Sequence, residues 1–276
     1  MNDCRVIAIA NQKGGVGKTT TTVALGAAIA ELGHRVLLID ADPQGSLSIS
    51  LGLRNPDSLE YTLSDVINAT IEDETIPYYQ GIIDLPEDVD LMPSNIELSG
   101  MENKLLNVMN REKILKTYVD QERKYYDFIL IDSMPSLGML TVNALAAADE
   151  VIIPTQPNLL SSKGLNLLLQ SVGKVKRFLN PELLIGGILL TMADSRTNNA
   201  RAVESALREG IGKSIRIYDS VIPFSVRAAE CPNEGVSILT YDPNGKVAEA
   251  YRNLATEVIE DEQVENKDRP RDHSAR

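Results

Sequence analysis

Between Asn11 and Thr20 the chain reads Asn-Gln-Lys-Gly-Gly-Val-Gly-Lys-Thr-Thr. Gly14, Gly15, Val16 and Gly17 form a loop whose backbone N–H groups are free to turn inward around phosphate oxygens. Lys18 then supplies an ammonium for the β- and γ-phosphates, Thr19 a hydroxyl for Mg²⁺, and Thr20 continues the first turn. A second lysine, Lys13, stands inside the loop, where Lys18 already provides the charge that the phosphates need. One physical role for it is to serve a second nucleotide across a dimer interface; the plainer one is a solvated loop charge. Gln12 occupies the place of the first glycine in the commoner spacing.

Two further acids complete a set for phosphoryl transfer. Asp40 and Asp42, in Leu37-Leu38-Ile39-Asp40-Ala41-Asp42-Pro43-Gln44-Gly45, close an apolar run and are followed by Pro and Gly. A carboxylate at a strand's C-terminal end faces the ligand crevice of an α/β sheet. Asp42 there would orient or deprotonate an attacking water and sit near the metal. The alternative for both acids, stronger for Asp40, is to cap the next helix. Phe128-Ile129-Leu130-Ile131-Asp132 ends on a third acid suited to organising Mg²⁺.

These residues need strands to carry them. Apolar runs at Val6–Ala10, Val36–Asp40, Asp127–Asp132, Val151–Thr155, Leu184–Thr191 and Ile215–Ile222 alternate with helical stretches, the first of them Thr20–Leu32 with Gly33 as its stop. This alternation predicts an α/β fold, a doubly wound, mostly parallel sheet with helices on both faces. Apolar residues make up 43% of the 276, with three Phe and no Trp, so the core is aliphatic. One domain over 1–261 is expected. Residues 54–90, acidic and punctuated by Pro, Asp and Asn, are expected to be helix and loop laid over the sheet. Residues 262–276, highly charged and almost without apolar groups, are expected to be a disordered tail.

A net charge of −12 argues against a broadly basic nucleic-acid surface but leaves room for a local patch, and the stretch from Lys163 to Arg227 is comparatively basic. No apolar run reaches membrane-spanning length. The first strand starts almost at once, so no signal peptide is expected. Cys4 and Cys231 match no metal or redox spacing and are expected to be two separate buried thiols.

The three motifs together resemble the ParA/Soj family of chromosome and plasmid partition ATPases, within the deviant-Walker group that also holds MinD. The resemblance extends through Leu91-Met92-Pro93-Ser94-Asn95, Val221-Ile222-Pro223 and Tyr241-Asp242-Pro243. It implies a nucleotide-switched homodimer using ATP and Mg²⁺. Lys13 would reach phosphate in the partner subunit, Lys18 would hold phosphate in its own, and Asp42 would be the hydrolytic residue. Thr19, Asp42 and Asp132 would organise the metal. Met192 and the stretch of Pro223, Phe224 and Val226 would lie against the adenine. Arg196 and Arg227 would bind DNA phosphates without sequence preference, and a ParB-like partner would stimulate hydrolysis. A cytoplasmic, nucleoid-associated protein follows.

Three positions depart from the family pattern: Met134 replaces the first of two prolines, Phe224 stands where relatives often carry arginine, and Lys163 replaces an acid. The nearest alternative is a MinD-like, membrane-cycling ATPase. Such chains end in a basic amphipathic helix, whereas Glu260–Asp268 is acidic. No membrane partner is therefore expected. An iron–sulfur carrier of the same fold would need paired cysteines.

Overall fold

The computed structural model describes residues 4–157, 161–194 and 198–268. Eight strands form one sheet: β1 (Arg5–Ile9), β2 (Val36–Ala41), β3 (Ile83–Leu85), β4 (Val89–Met92), β5 (Phe128–Ser133), β6 (Glu150–Thr155), β7 (Leu184–Ala193) and β8 (Ile217–Pro223), in the spatial order β3-β4-β2-β5-β1-β6-β7-β8. Every pairing is parallel except β3 with β4. All residues of β2, β5 and β6 are buried. This explains their continuous aliphatic runs, because a parallel sheet covered on both faces leaves no solvent side for polar alternation.

The helices are α1 (Lys18–Glu31), α2 (Ser46–Ser50), α3 (Leu63–Ile71), α4 (Leu98–Leu105), α5 (Ile114–Glu122), α6 (Met139–Ala147), α7 (Ser161–Phe178), α8 (Asn198–Glu209), α9 (Val226–Glu234), α10 (Ile238–Tyr241) and α11 (Lys246–Asp268). Leu63 and Val66 of α3, Leu115 and Val119 of α5 and Leu140 of α6 join the core on one face. Leu25 and Ile29 of α1 and Leu254 and Val258 of α11 join the core on the other. The doubly wound expectation therefore holds. After β1 the chain leaves toward one face and after β5 toward the other. Since β5 and β1 are neighbours, a crevice opens between them at their C-terminal ends.

Residues 54–90 correct the sequence reading. They contribute β3 and the first half of β4, and β4 extends the parallel ladder beside β2 through Val36↔Val89 to Ile39↔Met92. The strand was hidden because Asp90 interrupts its apolar pattern, and its register puts Asp90 opposite Leu37. Burial there is made tolerable by Tyr79 and Tyr126, whose hydroxyls donate to the two oxygens of Asp90 at 2.9 and 2.6 Å.

The last helix is fastened at several points. Tyr251 Oη and Thr21 Oγ1 lie 3.2 Å apart, Arg5 donates to the Val258 carbonyl, and Glu257 accepts from the N–H groups of Asp219 and Ser220 at 3.0 and 2.7 Å. It runs to Asp268 and so enters the stretch expected as tail; residues 269–276 lie outside the described residues. Both cysteines are free and buried.

One close approach fixes the end of α9 against the end of α2. Gly235 has φ +73°, and a Cβ built there would stand 2.6 Å from Gly52 Cα. An alanine would meet both a disfavoured backbone conformation and a backbone clash, together about 2 kcal/mol or more. Gly235→Ala is expected to lower the thermal midpoint by about 5 °C in a calorimetric scan. An unchanged midpoint would show that the two loops separate without cost.

Candidate nucleotide site

The loop from Ala10 to Gly17 joins β1 to α1. Gly15 and Gly17 adopt φ of 69° and 83°, which β-carbon-bearing residues avoid, and Gly17 is the N-cap of α1 with no side-chain cap on the first turn. The first N–H groups of α1 are thus left for an anion, at the positive end of the helix dipole.

Two side chains from the neighbouring strands set the direction of the loop amides. Gln156, just after β6, donates from Nε2 to the Gly15 carbonyl at 2.9 Å. Thr191 of β7 donates from Oγ1 to the Val16 carbonyl at 2.8 Å. A trans peptide places its C=O and the following N–H on opposite sides. With both carbonyls drawn toward β6 and β7, the N–H groups of Val16 and Gly17 point the other way, toward β5 and β2. Asp132 and Asp42 lie on that side. The sequence reading missed Gln156 and Thr191 as site residues. Their only signal was a polar residue at the C-terminal end of a buried strand.

On the β5 side, Thr19 Oγ1 donates to Asp132 Oδ2 at 2.7 Å. Asp132 is 1% exposed, and its Oδ1 is buried without a hydrogen-bond partner. Burial, with Asp40 and then Asp42 nearby, pushes its carboxyl up to about 8, against the Thr19 bond and the Lys18 charge. Lys18 is also buried; that burial lowers its pKa, while Asp132 and Asp42 oppose the shift. An orphaned carboxylate oxygen beside a threonine hydroxyl is a set of hard oxygen donors that fits Mg²⁺.

Asp40 and Asp42 separate into two roles. Asp40 accepts from Ser48 N and Ser48 Oγ, both at 2.8 Å, and from Asp42 N at 3.2 Å. Those bonds offset part of the burial that raises its carboxyl to about 6. It ties β2 to α2 and is structural. Asp42 is 9% exposed; Oδ1 accepts from Gln44 N at 3.0 Å, and Oδ2 accepts no hydrogen bond from the described residues.

Of the other predicted positions, Lys13 and Met192 lie beside the loop. Lys13 donates from Nζ to Gln156 Oε1 at 3.3 Å, and Gln156 Nε2 also reaches Met192 Sδ at 3.0 Å. Met192 has φ 51° and lies beside the loop, where a Cβ on Gly17 would come 3.7 Å from its Cε. Ala193, next to it, pairs with Pro223, and Phe224 N donates to the Ala193 carbonyl at 3.2 Å. Phe224, just past the end of β8, and Val226, the first residue of α9, are 60% and 63% exposed. Arg227 is exposed but paired with Asp242 at 2.6 Å. Arg196 lies outside the described residues.

Among the described residues no helix is long and apolar enough to cross a membrane. A family model described as "AAA domain" matches residues 4–185. The sporulation initiation inhibitor protein Soj of Bacillus subtilis is 42% identical over 259 residues, covering 92% of this chain and 98% of that protein. The chromosome partitioning protein ParA of Caulobacter vibrioides is 42% identical, covering 94% and 95%. Among solved structures, one described as cobyrinic acid a,c-diamide synthase from Mycobacterium smegmatis, with bound ADP and magnesium, superimposes with a TM-score of 0.79 at 36% identity, covering 92% of this chain and 93% of that one. With motifs, sheet order and near-full-length relatives in agreement, the chain belongs to the ParA/Soj family of partition ATPases.

Proposed function

We propose that this chain is a Mg²⁺-dependent ATPase that partitions DNA, binding DNA non-specifically as an ATP-bound homodimer and leaving it after hydrolysis. The observation that carries the reading is the convergence of Lys18, Thr19, Asp42 and Asp132 on the uncapped start of α1. The loop amides and Lys18 bind the β- and γ-phosphates and spread their charge. Thr19 and Asp132 would hold the Mg²⁺. The metal, when bound, neutralises charge that develops on the phosphate oxygens. Asp42 orients a water for in-line attack and takes its proton through Oδ2. Met192, Pro223, Phe224 and Val226 pack the adenine, and Phe224 supplies an aromatic face.

Lys13 acts on the partner subunit's nucleotide, so the dimer forms only around ATP. DNA binding follows dimerisation because two copies of a weak basic patch then meet one duplex. In a chain of net charge −12 the basic residues must be gathered on one face for this to occur. Hydrolysis is accelerated by a ParB-like partner that loads the DNA to be moved. By likeness to the chromosome-partitioning relatives, the protein works in the cytoplasm on the nucleoid.

The test is an anisotropy titration of two unrelated duplexes, with ATP and with ADP, at two salt concentrations. Both duplexes are expected to bind alike with ATP, with affinity falling by a log–log slope of roughly −0.9 per phosphate neutralised, and to bind weakly with ADP. Arg227→Ala should weaken both duplexes equally, at unchanged basal ATP turnover. Equal binding by the ADP form would overturn the switch, and a strong preference for one duplex would point to a sequence-reading regulator.

A further inference from the structure

Gln156 lies outside the motifs that define the family, yet it touches three parts of the site. Its Oε1 accepts from Lys13 Nζ at 3.3 Å, and its Nε2 donates to the Gly15 carbonyl at 2.9 Å and to Met192 Sδ at 3.0 Å. The chemistry fixes which way round the amide sits. An ammonium only donates, whereas a carbonyl and a thioether only accept, so the flipped amide would lose all three contacts. Few other residues serve this position. Glutamate would bind Lys13 more strongly but repel the Gly15 carbonyl; leucine would serve neither.

The backbone holds the amide in place. Gln156 directly follows β6, whose Thr155 pairs with Leu190 of β7, and Asn11 Nδ2 donates to the Pro154 carbonyl at 2.7 Å. Asn11 Oδ1 in turn accepts from Lys13 N at 3.0 Å. Lys13 is thus tethered at both its backbone and its tip to the end of β6 in its own subunit.

We propose that Gln156 is a positioning residue that parks Lys13 against its own phosphate loop and releases it when a partner subunit presents nucleotide. The contact does two things at once. It keeps the Lys13 ammonium from folding over the open loop of its own subunit, and it holds the Gly15 carbonyl so that the Val16 N–H faces the phosphate side. A neutral amide suits a temporary hold, since its bond to an ammonium is weaker than a carboxylate's and yields to phosphate. This inference rests on the cross-subunit reading of Lys13 given above.

The experiment compares the parent with Gln156→Leu, Gln156→Glu and Lys13→Ala. Limited acetylation of the nucleotide-free protein, read by peptide mass spectrometry, reports the freedom of the Lys13 amine, with exposed Lys174 as internal reference. Relative to the parent, Lys13 is expected to react severalfold faster in Gln156→Leu and severalfold slower in Gln156→Glu. A merely structural role for residue 156 would not give opposite signs. Both variants should lose ADP affinity severalfold, because neither donates to Gly15. Light scattering with a slowly hydrolysed ATP analogue should show dimerisation weakened about tenfold in Gln156→Glu and less in Gln156→Leu. Acetylation of Lys13 at the parental rate in both variants would overturn the proposal. Parental dimerisation by Lys13→Ala would instead overturn the cross-subunit reading and leave the Gln156 contact standing.

Discussion

Asp42→Ala is expected to bind ATP nearly as well as the parent and to hydrolyse it at least about 100-fold more slowly, the usual effect of removing a positioned general base. The geometry separates this residue from Asp40, two positions earlier. All the acceptor capacity of Asp40 that the structure displays goes to α2 and to the Asp42 N–H. Asp42 holds one oxygen on the Gln44 amide, which sets the carboxylate plane, and keeps Oδ2 for water. Loss of Asp42 therefore removes chemistry and leaves binding, while loss of Asp40 loosens α2 and lowers stability. With hydrolysis blocked, ATP should accumulate a dimer that light scattering detects and that binds DNA persistently. Turnover and ATP affinity must be measured on the same preparation. Parental turnover in Asp42→Ala would remove it from the catalytic step. A parallel fall in affinity would move it to the binding set.

The part of this site that could be read in the sequence is the part made of local patterns. Gly14 to Thr20 are contiguous, and their strand–loop–helix setting follows from Val6–Ala10 and the alanine-rich run after Thr20. Asp42 and Asp132 were legible because each ends an aliphatic strand, and in a parallel sheet strand ends meet at one edge. The observed register supports this, with Asp40 opposite Asp132. What could not be read depends on neighbours distant in sequence. Gln156 and Thr191 reach the loop across gaps of 141 and 175 residues, and their roles come from which carbonyl each meets. β4 was missed because Asp90 sits where a parallel strand would ordinarily place an apolar residue. Its acceptability depends on Tyr79 and Tyr126, contributed by separate segments. The role of Asp40 was left open for a related reason, since only the position of Ser48 decides between capping and catalysis. The proposed DNA contacts remain the least local of all: Arg227 is paired with Asp242 in this chain, so it must exchange that carboxylate for phosphate when DNA arrives.

Asp132→Asn is expected to leave the nucleotide-free protein as stable as the parent or more so at pH 9, while abolishing the stabilisation that ATP with Mg²⁺ confers. The carboxyl is buried, has one oxygen without a partner, and shares its surroundings with Asp40 and Asp42. Its pKa is raised from 3.8 to about 8, so between those values the folded protein holds a proton that the unfolded chain has released. The contribution of this group to stability is therefore fully present below pH 3.8, declines as the pH rises, and is lost on passing pH 8. Asp40, raised to about 6, acts in the same direction over a lower window. An asparagine keeps an oxygen to accept from Thr19 and carries no charge at any pH. Its cost is a buried N–H₂ group, about 1–3 kcal/mol, which an ionised carboxylate at the same place exceeds. Thermal midpoints from pH 5 to 9 should accordingly fall less steeply for the variant than for the parent. Saturating ATP with Mg²⁺ supplies the opposing measurement. At a ligand concentration 100 times its Kd the parent gains about 2.7 kcal/mol. The variant should gain little, because Thr19 is then left to hold the metal without its carboxylate. If Asp132→Asn were equally destabilised at pH 5 and pH 9, the charge argument would fail. If it kept the full stabilisation by ATP and Mg²⁺, Asp132 would not be the residue that organises the metal. The two results together would show that this acid is retained for binding at a cost to the empty protein.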